Sequence, residues 1–345
     1  MRHIPSLLVL TALCITLSAT VTAQSLPGAA PEAVGMSSSR LARIAAVLKE
    51  DIDEGRLPGA VVAIARKDKL VYFEAFGFLD KPAGVPMPKD GIFRIASMTK
   101  PLATVGALML YEENKLLVND PVGKYLPPLG RMSVAVMDPS GKTVTRTEPA
   151  RRQPTLQDLM RHTSGFSYGN RGNNELHKKY PQGSADTADI MTGPQFIGAL
   201  NALPLHYQPG TTWQYGLGFD VLGLVVEATA RQPLGAFLSE RLFRPLGMAD
   251  TAFVLSAEQA KRFAKALPPD PDTGAAQVNR DPTVAYKFEC GGACAFSTAT
   301  DCLRFAQMLL NRGQLAGTRV PGPKAVDYMT ADQLGPEVNV AALRD

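Results

Sequence analysis

Residues 38–55 place Leu41, Ile44, Ala45, Val47 and Leu48 at helical spacing, which predicts an amphipathic helix with one buried face. The period then changes. Two strand-like runs, Ala60–Ala65 and Leu70–Gly77, flank the turn Lys67-Asp-Lys69 and predict an antiparallel hairpin. Apolar positions next close up: Ile92–Ala96 leads to Pro101-Leu-Ala-Thr-Val-Gly-Ala-Leu-Met-Leu-Tyr111, an uncharged stretch that predicts a helix buried on most sides. Pro101 falls in its first turn, where a missing N–H is tolerated. A second hairpin is predicted around Asp138–Gly141, with arms at Ser133–Met137 and Thr143–Thr147. Thr155-Leu-Gln-Asp158 reads as a capped helix start, the helix ending near His162–Gly165.

Residues 167–190 are polar and glycine-bearing, and predict an irregular excursion. Helical patterns return over 194–202, 218–231, 233–242, 256–265 and 298–312. Strands early and helices afterwards predict an α+β fold. After Asn311–Gly317 one more helix-like stretch follows, without the later strands that would complete the sheet. A two-stranded hairpin is marginal alone, and an unfinished edge invites self-association.

The 345 residues are 45% hydrophobic, enough for a full core. The net charge of +4 is spread among both signs, which gives no basic stripe for nucleic acid. Arg2 and His3, the apolar run Leu7–Leu17 and the small-residue site Val21-Thr-Ala23 read as a signal peptide over residues 1–23. That run is too short to span a bilayer, so the mature chain 24–345 is expected to be exported, periplasmic or secreted, with no membrane span. Cys290, Cys294 and Cys302 then remain. Two of them can pair, or all can stay as inert buried thiols; their spacing fits no zinc pattern, and no metal or cofactor is expected.

The candidate chemistry centres on Ser97-Met-Thr-Lys100. Residues three apart share a helix face, so Lys100 can reach back over Ser97 at the start of the buried helix. A serine hydroxyl is a weak nucleophile until a base takes its proton. A lysine serves as that base only when its surroundings lower its pKa. S-x-x-K occurs about once by chance in a chain of this length, so context must decide. Gly165-Phe-Ser-Tyr-Gly169 offers a rival nucleophile in Ser167, but a nucleophile elbow needs a strand before it, and here a helix precedes. A plain glycine-rich turn is the simpler account. His162 reads as structural, its ring fixed by the adjacent turn, or else as a general base. Trp213, the only tryptophan, reads as core or as substrate wall.

In order along the chain, these segments resemble the penicillin-recognising serine hydrolases, in particular class C β-lactamases and family VIII esterases. Phe93–Pro101 is similar to the nucleophile motif of that family, and Lys115–Leu126 to its next segment. Thr155–Gly165 resembles a strong family signature, and Pro209-Gly-Thr-Thr-Trp-Gln-Tyr215 the stretch with the catalytic tyrosine. Arg244–Met248, Gly291–Thr298 and Arg304–Leu310 also fit. The resemblance implies a β-lactamase/penicillin-binding-protein-like fold, with an antiparallel sheet flanked by helices and a mostly helical subdomain. It implies an acyl-enzyme on Ser97, with Lys100 and Tyr215 sharing proton transfer and the Ser97 N–H as one oxyanion donor. A phenol with an ordinary pKa of about 10 needs adjacent ammonium groups for such a role.

Two departures qualify what is carried over. Leu217 stands two residues after Tyr215, where β-lactamases have an asparagine that can hydrogen-bond a substrate amide. This resembles the esterase branch and points to small esters. The family's third motif, a Lys, His or Trp before a small residue and glycine on a late strand, has no counterpart after Ser297; Lys142-Thr-Val144 starts similarly but lies in the wrong half. The resemblance thus implies a C-terminally shortened member whose sheet is incomplete. Loss of one oxyanion donor costs roughly 100- to 1000-fold in rate. The competing expectations are a β-lactamase, a D-amino-acid peptidase, or an inactive relic that only binds peptidoglycan-like ligands.

Overall fold

The computed structural model describes residues 26–277 and 279–341, so the leader read over residues 1–23 lies outside the described residues. Ser37 accepts the Arg40 N–H and caps α1 (Ser38–Asp53), where the apolar spacing predicts a helix, but Val47, expected on its buried face, is exposed. The first hairpin forms as β1 (Gly59–Arg66) and β2 (Lys69–Asp80), and a short β3 (Val85–Pro86) adds beyond β2. All pairings are antiparallel, with Ala60 opposite Phe76 and Ile64 opposite Tyr72. Among the described residues no strand lies on the outer edge of β1. That edge borders an apolar groove of about 600 Å³, lined by Gly59–Ala63, Ile95, Met98, Cys302 and Leu303.

Two short strands do the positioning. β4 (Ile92–Arg94) pairs with β7 (Phe296–Thr298), so a segment from late in the chain lies beside the entry to the next helix. That helix, α2 (Thr99–Glu112), has every residue from Leu102 to Leu110 buried, and packs against the later helices. Gly106 permits one of these contacts: a Cβ there would lie 2.8 Å from Leu238 Cδ2. The second hairpin is β5 (Ser133–Met137) with β6 (Val144–Pro149). α3 (Leu156–Met160) begins with the Thr155/Asp158 capping box legible in the sequence.

The excursion expected over 167–190 is only partly irregular. It ends in α4 (Ser184–Ile190), which the polar composition hid. α5 (Gly193–Asn201) and α6 (Gly218–Ala230) fall where the pattern puts them. The helix expected over 233–242 is α7 (Leu234–Leu238), a π segment Ser239–Phe243 and α8 (Arg244–Leu246). Pro245, which lacks an N–H, sits at that irregularity. The helix expected over 256–265 shrinks to α9 (Ala257–Ala260). Beyond it the backbone turns to β4 instead: Ile92 N–H donates to Arg262 O at 2.7 Å and Ala264 N–H to Ile92 O at 2.8 Å. α10 (Ala299–Leu310) follows β7, then the small hairpin of β8 (Gln314–Leu315) and β9 (Thr318–Arg319), then α11 (Pro323–Thr330) against α2. Among the described residues no helix is long and apolar enough to cross a membrane.

Candidate active site

Ser97 lies in the tight turn Ala96–Met98 directly ahead of α2. Ala96 has φ 43°, a left-handed conformation that a residue with a Cβ adopts only under constraint. The constraint is the β4–β7 ladder, extended by Ile95 N–H to Ala295 O at 3.0 Å. Thr99, fully buried, accepts the Ala295 N–H through its hydroxyl at 3.1 Å and ties α2 to the same segment. Ser97 is thereby presented to solvent while Lys100, one turn on, is 6% exposed.

The three residues singled out in the sequence meet. Lys100 Nζ donates to Ser97 Oγ at 3.0 Å, and Tyr215 OH donates to the same oxygen at 2.7 Å. Lys100 Nζ also donates to Gly292 O at 2.8 Å. The ammonium lies 4.6 Å from the centre of the Tyr215 ring, and the Arg171 guanidinium 5.4 Å from it.

The rivals separate cleanly. Ser167 is fully buried with its hydroxyl on Tyr168 O, and no strand precedes it, so it is no exposed nucleophile. His162 packs 4.5 Å from the Tyr215 ring and 5.1 Å from Phe219. Burial, and then the Lys100 charge, push its imidazole down to about 3, which keeps it neutral and leaves it a packing role. Trp213 lines a cavity of about 350 Å³ with Lys100, Met160, His162, Phe219 and Tyr328, so it is wall as well as packing. Leu217 is fully buried and offers the site no polar group. Lys142 bonds Asn173 in the segment that carries Arg171. Cys290 and Cys294 form a disulfide with Cα atoms 5.2 Å apart, and among the described residues Cys302 is the free cysteine.

A second layer was not singled out from the sequence. Asp220, fully buried in the first turn of α6, accepts the Gly292 N–H at 3.0 Å and the Ser184 hydroxyl at 2.7 Å. Ser184 Oγ in turn lies 2.8 Å from Tyr168 OH. Burial pushes the Asp220 carboxyl up to about 6, against the pull of Ser184, Lys100 and Gly292. The available signal was one acid in the apolar run Gly218–Val226. Arg171, Ser184 and Tyr168 sit in the polar stretch and gave none.

A serine, a lysine and a tyrosine joined at the head of a buried helix, beside an antiparallel sheet, are what a serine hydrolase of penicillin-binding-protein type presents. The chain belongs to the Beta-lactamase family, whose model matches residues 44–345. It is 38% identical over 295 residues to Protein Rv1367c of Mycobacterium tuberculosis, covering 85% of this chain and 72% of that one. It is 33% identical to Esterase EstB of Burkholderia gladioli, over 79% of this chain and 71% of the esterase. Among solved structures, simvastatin synthase (LovD) from Aspergillus terreus superposes with a TM-score of 0.70 at 27% identity, over 88% of this chain and 75% of LovD. The fold class, the family and its serine-hydrolase character are thus those the sequence implied.

Proposed function

We propose that the chain is a carboxylesterase that cleaves small esters through an acyl-enzyme on Ser97. The observation that carries this reading is the convergence of Lys100 Nζ and Tyr215 OH on one serine oxygen. In acylation the Ser97 Oγ–carbon bond forms as the Ser97 proton passes to the Lys100–Tyr215 pair. Negative charge then resides on the former carbonyl oxygen, beside the Ser97 N–H at the positive end of α2. Collapse breaks the carbon–alkoxy bond, and the pair returns its proton to the leaving alkoxide. Water repeats the sequence and frees the acid.

Esters rather than amides are favoured by Leu217, which cannot pair with a substrate amide, and by the likeness to Esterase EstB. Export through residues 1–23 belongs to the same reading; the Cys290–Cys294 disulfide supports an oxidising compartment.

Hydrolysis of p-nitrophenyl butyrate, a chromogenic cephalosporin and a D-alanyl-D-alanine peptide by the purified chain is the test. The ester is expected to be the preferred substrate, and Ser97→Ala to lower the rate by about 10⁴-fold or to background. Preference for the lactam or peptide would move the chain to those activities. Ester turnover that survives Ser97→Ala would overturn the mechanism.

A further inference from the structure

Lysine carries its ammonium on a flexible four-carbon stem, so something must hold it where a proton can be passed. Here one glycine does so. Gly292 O accepts from Lys100 while Gly292 N–H donates to Asp220, so a buried carboxylate sets the orientation of the residue that grips the amine. The approach is too close for any side chain. A Cβ on Gly292 would lie 2.3 Å from Ser184 Oγ and 2.6 Å from Asp220 Oδ1, and one on Gly291 would lie 2.3 Å from Phe219 O. The Cys290–Cys294 disulfide closes the loop that contains both glycines.

The carboxylate is poorly explained as a stabilising group. It is fully buried, and its close partners are a hydroxyl and a backbone N–H, both neutral. A buried carboxylate without a direct cation costs free energy, whereas an amide of the same shape would still accept the Gly292 N–H. The cation that acts on it is Lys100, on the far side of Gly292. Native groups that weaken the fold gather where function requires them.

We infer that Asp220 is a positioning residue for acylation of Ser97: its negative charge, which an amide lacks, acts across Gly292 to fix the place from which Lys100 exchanges protons with the nucleophile. Ser184 holds the carboxylate from the opposite side, and Tyr168 holds Ser184. This rests on Ser97 as nucleophile and Lys100 as its proton partner.

The test is the kinetics of Ser97 modification by a fluorophosphonate in the full chain, with kinact and KI resolved, alongside thermal midpoints at pH 8. Asp220→Asn is expected to lower kinact roughly 10- to 100-fold. Its KI should stay within about twofold of wild type, and its midpoint should be equal or higher. Ser184→Ala keeps the charge but removes one restraint, and should lower kinact by about threefold. Wild-type kinact in a folded Asp220→Asn variant would overturn the inference. So would a lowered midpoint in Asp220→Asn with an unaltered rate in Ser184→Ala, which would make the carboxylate a purely structural group. Wild-type protein that is folded yet unlabelled at Ser97 would instead remove the nucleophile itself, and the inference with it.

Discussion

Two aspartates are buried to the same depth in this protein and are treated in opposite ways. Asp158, at the start of α3, faces two guanidinium groups, from Arg152 and Arg161. It also accepts from the Thr155 backbone and the Thr163 hydroxyl. Burial alone would push its carboxyl up, but these partners outweigh it and hold the group at about 2. Asp220, in the first turn of α6, has no guanidinium; burial prevails and its carboxyl rises to about 6. The first carboxylate organises chain. It caps α3 and anchors the turn in which His162 adopts φ 60° against Tyr215. The second is held by the chain, for the sake of a loop that reaches Lys100. Equal burial therefore says little about purpose; the charge of the partners says more.

That contrast can be broken at either end. Asp158→Asn leaves two guanidinium groups facing a neutral amide, and should cost about 3 kcal/mol of stability, discounted for the partly exposed Arg152. Urea unfolding would measure it. Molecules that remain folded should acylate at close to the wild-type rate, the reverse of the pattern expected for Asp220→Asn.

The pH dependence of stability should separate the two groups further. Asp158 is depressed in the fold, so its contribution is present above pH 3.8 and is lost as pH falls toward about 2. Asp220 is raised, so its contribution is present below pH 3.8 and is lost as pH rises through about 6. The groups facing Asp220 are Lys100 from α2, Ser184 from α4, the Gly292 N–H, and Tyr168, whose phenol is itself raised by burial and by Asp220. Asp220→Asn should flatten the fall in stability between pH 4 and 8, read from unfolding midpoints across that range. A slope unchanged by the substitution would contradict the assignment.

The smallest effect concerns the loop. Replacing Cys290 and Cys294 together by alanine removes the clamp but leaves the Asp220 and Gly292 contacts available. Ser97 labelling should slow by about threefold. An unaltered rate would leave Asp220 as the sole restraint on Gly292.

Local signals made much of this molecule legible. The strand-like runs Ala60–Ala65 and Leu70–Gly77, the uncharged run of α2 and the Thr155 cap all act within a few residues, and each yields the element it predicts. Ser97 and Lys100 share one helical turn, so their pairing too was local. Tyr215 lies 118 positions from Ser97, and only its place in the family order marked it. Gly292 lies 192 positions from Lys100, and its role depends on a backbone carbonyl that no residue identity announces. Asp220 was visible as a lone acid in an apolar helix, but its partners came from the polar stretch 167–190 and a glycine loop. α9 was overestimated because the pull of β4 on Arg262 and Ala264 is a tertiary effect that helix periodicity does not contain.

The most direct measurement is a fluorophosphonate label on the purified chain, located by peptide mass. Modification confined to Ser97, and abolished by Lys100→Ala in folded protein, is the result predicted by a nucleophile activated through Lys100 and Tyr215. A label on another serine, or a folded chain that takes none, would contradict it.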